Sequence, residues 1–219
     1  MKRILYVILI IIFVLFALKS CINADIAENT TSEKEIENNS KPVKFPNPPK
    51  TVTIDGIDYL QSQAPVGKFG GVMVSSTIGE GPKTFNPFNT KDATSALMAE
   101  TMFDGLVSTK PDNGEVIPKL AKSFEISKDG KTYIINLRHG ITWSDGKSIT
   151  ADDVVFTWNK IILAGLGNTS TRDSVLIDGE LPIVRKVDDY TVKFITKKPF
   201  APFLRILSAP IAPKHILKP

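Results

Sequence analysis

Apolar and polar positions divide the chain into three stretches. Ile4 to Leu18 is an unbroken apolar run of fifteen residues, bounded by Lys2-Arg3 on one side and Lys19-Ser20-Cys21 on the other. Residues 22 to 50 are polar, mixing Asn, Thr, Ser, Glu and Lys and ending in Lys41-Pro42 and Pro46-Asn47-Pro48-Pro49. They hold too few apolar side chains to offset the cost of ordering backbone, roughly 1–2 kcal/mol per residue. That predicts a flexible tether. Thr51 to Leu60 alternates weakly, as a strand or hairpin would, and from Lys68 onward short apolar periodicities are separated by turn residues.

Within this last stretch the period of the apolar positions assigns the elements. Gly71 to Thr77 reads as a strand opening at Gly70-Gly71, and Ser75 to Pro87, rich in Gly, Pro, Ser and Thr, as a loop. Asp92 caps a predicted helix to about Phe103, since Ala96, Met98, Ala99, Met102 and Phe103 recur at helical spacing, and Gly105 suits its end. Pro111-Asp112-Asn113-Gly114 is a turn. Phe124 to Arg138 is the clearest hairpin, folded at Lys128-Asp129-Gly130-Lys131 with Tyr133, Ile135 and Leu137 on one face. A second Asp-Gly turn at Asp145-Gly146 precedes Thr150, which caps a helix to Ile162. Asp152 and Asp153 favour that helix's positive end, and Val154, Trp158 and Ile161 form its buried stripe. Gly165 to Asp178 reads as loop, Pro182–Val187 and Tyr190–Ile195 as a hairpin around Asp188-Asp189, and Ala201–Leu207 as a short helix. Pro210 to Lys214 reads as loop again. Hairpins interrupted by helices predict a mixed α/β architecture.

The leader decides how charge is read. The 219 residues carry 27 Lys and Arg against 23 Asp and Glu. Lys2, Arg3 and Lys19 account for most of the excess, so the remainder is nearly neutral and gives no reason to expect nucleic acid. A basic start followed by fifteen apolar residues matches an export signal, being short of the roughly 20 residues that cross a bilayer. Cys21 follows it directly, as in a bacterial lipoprotein signal where the cysteine is cleaved and acylated, although Lys19 stands where a small or apolar residue is usual. An uncleaved signal anchor, or ordinary cleavage near Ala24, fits the same residues. All three place the rest of the chain outside the cytoplasmic membrane.

Catalytic chemistry finds little support. The lone cysteine cannot form an internal disulfide, and His139 and His215 have no soft ligand nearby in sequence. Glu100 and Asp104, four apart on a helix, read as solvent-facing acids, and Asp152-Asp153 as helix-capping residues. Gly79 and Gly81 near Lys83 do not continue into a phosphate cradle, and no serine sits in a nucleophile elbow. Trp143 and Trp158 read as core or boundary aromatics. No enzyme, metal or cofactor is expected.

Several motifs go further. Lys68-Phe69-Gly70-Gly71 with Lys83-Thr84-Phe85-Asn86-Pro87, Phe103-Asp104-Gly105-Leu106-Val107 and Pro118-Lys119-Leu120-Ala121-Lys122-Ser123-Phe124 come in order. The strongest is Leu137-Arg138-His139-Gly140-Ile141-Thr142-Trp143-Ser144-Asp145-Gly146-Lys147 with Thr150-Ala151-Asp152-Asp153-Val154-Val155-Phe156-Thr157-Trp158. Val187-Asp188-Asp189-Tyr190-Thr191-Val192 and Pro199-Phe200 follow. Together they resemble the family 5 extracellular solute-binding proteins, the oligopeptide-, dipeptide- and nickel-binding receptors of ABC importers, with Phe85 for the usual leucine and Phe124 for tryptophan. The likeness runs from about Gly70 to Lys214 and is read as the N-terminal portion only of such a receptor.

The resemblance implies an α/β, mixed-sheet periplasmic-binding-protein type II fold, truncated, with a hairpin-rich inserted domain. With the leader read as a signal peptide over 1–20 and the polar stretch as a lipid-anchored linker over 21–66, it implies the N-terminal part of a solute-binding domain over 67–219. That part divides into the start of lobe I (67–87), an inserted domain (88–186) and a return to lobe I (187–219), with the second lobe expected beyond. It implies capture of oligopeptides or dipeptides for a permease, with Glu80, Gly81 and Pro82 nominated at the ligand, while the leader nominates Cys21 as the lipidated residue. Nickel and sugar ligands stay open. The alternative is an accessory or structural envelope lipoprotein without a complete cleft.

Overall fold

The computed structural model describes residues 50–61, 68, 70–72, 74, 76–77, 80–110 and 112–218. The expected leader, Cys21 and the tether up to residue 49 lie outside them. The first elements are a hairpin of β1 (Thr51–Ile54) and β2 (Ile57–Leu60), turned at Asp55-Gly56, both with positive φ. It falls within the stretch read as linker, yet it is tied to the domain. Asp58 N–H donates to the His139 carbonyl at 3.2 Å, Arg138 Nη1 donates to Thr51 Oγ1 at 3.1 Å, and Lys122 pairs with Asp58 at 3.0 Å.

The expected strand over Gly71–Thr77 is not formed at any of its described positions. Gly70 and Gly71 take φ of 116° and 94°, outside the β region, and Val72 and Val74 are 91% and 90% exposed. A strand is held by a ladder partner, and among the described residues none lies alongside.

Next comes α1 (Ala93–Met102). Its N-cap is Asp92, whose carboxylate accepts from Ser95 N–H at 2.8 Å. The buried face is not the one its apolar residues suggest: Thr94, Ser95 and Ala99 are buried while Met102 is exposed. Ser95 is buried because its hydroxyl accepts from the Lys83 and Thr84 amides, at 2.8 and 3.2 Å. Gly105 does not end the helix, which closes at Phe103. It is a point of close approach, where a Cβ would run into the Ser208 carbonyl.

A small hairpin, β3 (Val107–Thr109) with β4 (Val116–Pro118), turns at Gly114. The main sheet contains β5 (Ala121–Ile126), β6 (Thr132–Leu137), β7 (Ile183–Asp188) and β8 (Thr191–Ile195) in the order β5-β6-β8-β7, antiparallel throughout. Register places side chains of one face in rows across the strands. Ile126, Tyr133, Phe194 and Val184 form one row, and Phe124, Ile135 and Val192 another. Most of these residues are buried, each fully buried apolar side chain contributing roughly 1.5–3 kcal/mol.

Against this face packs α2 (Ala151–Phe156), which continues directly as a π-helical turn over Thr157–Ile162. Thr150 caps it as expected, with Asp153 Oδ2 accepting from the Thr150 amide at 3.0 Å. Val154 and Trp158 are fully buried and Ile161 nearly so. A regular α-helix was predicted to Ile162, but past Phe156 the ladder shifts to five-residue spacing, as in Leu163 N–H to Trp158 O at 2.8 Å. The wider turn buries Ile161 and Ile162 side by side while keeping Trp158 on the sheet.

Three short helices complete the domain: α3 (Ser170–Ser174), α4 (Phe203–Ile206) and α5 (Lys214–Leu217). The first lies inside a stretch read as loop. Its polar composition carries no apolar period, and it buries no residue. Phe203 of α4 joins Tyr133, Trp158 and Phe194 in one aromatic cluster, with ring centroids 4.7 to 6.3 Å apart.

Candidate functional site

The loop 80–90 is ordered by its own polar side chains. Thr84 Oγ1 accepts from Asn86 N–H at 3.0 Å, and Asn86 Oδ1 accepts from Phe88 N–H at 3.0 Å. With Ser95 holding the Lys83 and Thr84 amides, the residues before Phe85-Asn86-Pro87 sit at the start of α1. Glu80 is exposed at a bend. Gly81 is half-buried with φ of 85°, and Pro82 is exposed. The three nominated residues therefore form one surface loop, held from its C-terminal side.

The other end of the loop is stapled to the segment after α2. Asn168 N–H donates to the Phe88 carbonyl at 2.6 Å, and Asn168 Nδ2 to the Thr90 carbonyl at 3.2 Å. Gly167 makes this approach possible: φ is 79°, and a Cβ would collide with Phe88 O.

Asp153 and Thr157 bring in the C-terminal residues. Asp153 is buried and uses both oxygens, Oδ2 on its own helix cap and Oδ1 on the Lys214 amide at 2.9 Å. Thr157 Oγ1 donates to Asp153 O at 2.7 Å and accepts from Ala212 N–H at 2.9 Å. The reading of Asp153 as a capping residue holds, and it also anchors α5. Asp152 is paired with Lys186 and Lys214, each at 2.6 Å. Hydrogen bonds from these two ammonium groups hold its carboxyl below the usual range, and the carboxylates of Asp152 and then Asp189 hold the Lys186 ammonium above its own.

Between these pieces lies a cavity of about 720 Å³. It is lined by the 86–89 loop, the outer face of α2 and its π-turn, Leu166-Gly167 and α5. Sequence reasoning missed it. The available signal was Val155-Phe156, an apolar pair outside the Val154–Trp158–Ile161 stripe, which gives the helix a second apolar surface. A second cavity of about 500 Å³, with more polar residues, adjoins α1 and β3 and includes Glu100 and Lys119. Glu100 and Asp104 are exposed as expected, Asp104 pairing with Lys119. His215 Nε2 lies 2.6 Å from Asp145 Oδ2, and the His139 ring stacks on Tyr190. Among the described residues no group of three or more His, Cys, Asp or Glu is arranged to hold a metal. Likewise none of their helices is long and apolar enough to cross a membrane.

Residues 115–216 match the family profile described as bacterial extracellular solute-binding proteins, family 5 Middle. The chain is 35% identical over 147 residues to the dipeptide-binding protein of Escherichia coli, covering 61% of this chain and 27% of that protein. Among solved structures it resembles the ABC transporter substrate-binding protein CtaP of Listeria monocytogenes. There the TM-score is 0.55 with 37% identity, over 63% of this chain and 27% of the other. A dipeptide-binding protein from Pseudoalteromonas in complex with Met-Leu matches with TM-score 0.55 and 27% identity, over 63% and 30%. The chain thus spans about a quarter of the length of its curated relatives. The fold is of the α/β periplasmic-binding-protein type II class, as expected, with antiparallel sheets and interspersed helices. One expectation is corrected. The likeness is not to the N-terminal portion only, because the family match falls on the middle and C-terminal part of this chain, in a region the family's own description calls its middle. Family 5's description as extracellular agrees with a place outside the cytoplasmic membrane.

Proposed function

We propose that this chain serves in an extracytoplasmic substrate-binding component of an ABC importer, capturing oligopeptides or dipeptides for a permease that hydrolyses the ATP. The observation that supports it most is the family 5 match over residues 115–216, which takes in the whole Leu137–Trp158 signature. The likeness to a dipeptide-binding protein favours peptide over other cargo. The role is binding, not catalysis. Glu80, Gly81 and Pro82 are proposed to meet the ligand: the loop is exposed, offers one carboxylate, and is held to α1 by Ser95 on its C-terminal side and by the 3.1 Å contact between the Thr77 and Thr94 hydroxyls on its N-terminal side. A carboxylate there suits the ammonium end of a peptide.

Within this proposal residues 1–20 are the export signal, Cys21 the acylated anchor and 21–66 the linker, whose β1–β2 hairpin is seated on the domain. The solute-binding part follows from 67, with the inserted domain over 88–186 and lobe I over 67–87 and 187–219. Saturation-transfer NMR, which registers millimolar complexes, tests the reading with di- to pentapeptides. Transfer to peptide protons is expected, and it should fall in Glu80→Gln. Absence of transfer to every peptide, or equal transfer to sugars of similar size, would overturn the peptide assignment.

A further inference from the structure

We infer that the cavity between the 86–89 loop, α2 with its π-turn, and α5 is a binding site for an amphiphilic carboxylate, an apolar chain ending in an anionic head. At about 720 Å³ it lies within the size range of small-molecule sites, roughly 300–1,000 Å³. Its walls are mainly apolar, from Phe88, Val155, Phe156, Ile161, Leu166 and Leu217. Leu166, away from the end of the given sequence, remains 59% exposed at its edge, a cost that an inserted alkyl chain would relieve.

The charge around it is one-sided. The lining holds three lysines, Lys160, Lys214 and Lys218, against the single acid Asp152, a net of +2. Asp152 is already engaged by Lys186 and Lys214. Among the described residues no salt bridge includes Lys160 or Lys218. An apolar trough whose rim ammonium groups pair with no acid among the described residues complements an anion with a hydrocarbon body. A neutral apolar segment would leave both lysines without a counter-charge, and a cation would face repulsion.

The backbone supplies an independent observation. Asn159, Lys160 and Ile161, consecutive in the lining, all lie on the π-turn. Such turns are rare and occur frequently at functional sites. Here the turn keeps Trp158 in the core while its next three residues border the cavity.

The test is isothermal titration of decanoate, below its micelle concentration, into the full 219-residue chain. Saturable binding is expected, with none for acetate, which lacks the chain, or for decyltrimethylammonium, which reverses the head. The double variant Lys160→Glu/Lys218→Glu should weaken decanoate about tenfold or more without altering the melting temperature. Leu166→Trp, at an exposed position, should obstruct the trough and abolish binding. The apolar run Ile4–Leu18 is common to all variants, so it cannot produce these differences. Equal binding of the cation, or unchanged decanoate binding in the lysine variant, would overturn the inference. Displacement of decanoate by peptides ending in leucine would also overturn it and reassign the trough to peptide. The inference does not rest on peptide capture at residues 80–82, which Glu80→Gln tests separately.

Discussion

Trp158→Ala probes how the sheet and the helix are joined. Trp158 is fully buried, its ring edge-on to Phe194 with centroids 5.1 Å apart and 6.3 Å from Phe203. Truncating a buried tryptophan costs about 3–5 kcal/mol through lost transfer energy and the cavity left behind. The edge-on pair with Phe194 adds about 0.5–1.5 kcal/mol beyond area alone. Acting the other way, the indole Nε1 has no hydrogen-bond partner among the described residues, so no bond to them is lost and a buried unpaired donor disappears, relieving about 1–3 kcal/mol. The expected net loss is therefore about 3 kcal/mol. For a chain of this size that lowers the melting temperature by roughly 6–12 °C. Urea titration followed by circular dichroism should show the midpoint falling with an unchanged slope. Trp158→Phe, which keeps an aromatic edge against Phe194, should recover more than half of the loss. A change below about 1 kcal/mol for the alanine variant would refute the packing described here.

Gly105→Ala and Gly146→Ala should separate two uses of glycine. The first drives a Cβ into the Ser208 carbonyl and is expected to cost about 2 kcal/mol or more, whereas the second has open space and only a φ of 84°, about 1 kcal/mol; comparable losses in urea titration would refute the distinction. The Asp58 carboxyl is held below its ordinary value near 3.8, first by the Thr53 hydroxyl at 2.6 Å and then by Lys122. Its contribution is present above that ordinary value and lost as pH falls through the lowered one, so stability should decline on acidification below about pH 4, and less steeply in Asp58→Asn. An identical acid limb in both proteins would exclude Asp58 from that role. Cys21→Ala should abolish labelling by a radioactive fatty acid and move the protein from membrane to soluble fractions, and persistent membrane retention would instead indicate an uncleaved anchor.

Local chemistry made much of the architecture legible. Lys128-Asp129-Gly130-Lys131 specified the β5–β6 turn, Thr150 with Asp153 the start of α2, and Asp92 the start of α1, because each acts within four residues on its own backbone. The alternation of Tyr133, Ile135 and Leu137, and of Val192 and Phe194, assigned the core face of the sheet. Other features depend on partners distant in sequence. Whether Val72 and Val74 form a strand is settled by a neighbouring ladder, not by their own pattern. The buried face of α1 is polar because Ser95 receives two amides from a loop that precedes it by more than ten residues. The π-turn arises where Trp158 must meet the sheet while Thr157 ties the helix to Ala212, a contact across 55 positions. The large cavity is assembled from four separate segments, and Asp153 holds one of them, α5, to α2 by bonding both its own cap and the Lys214 amide. Periodicity along a chain records which residues favour burial, but the packing of distant segments decides what each one meets.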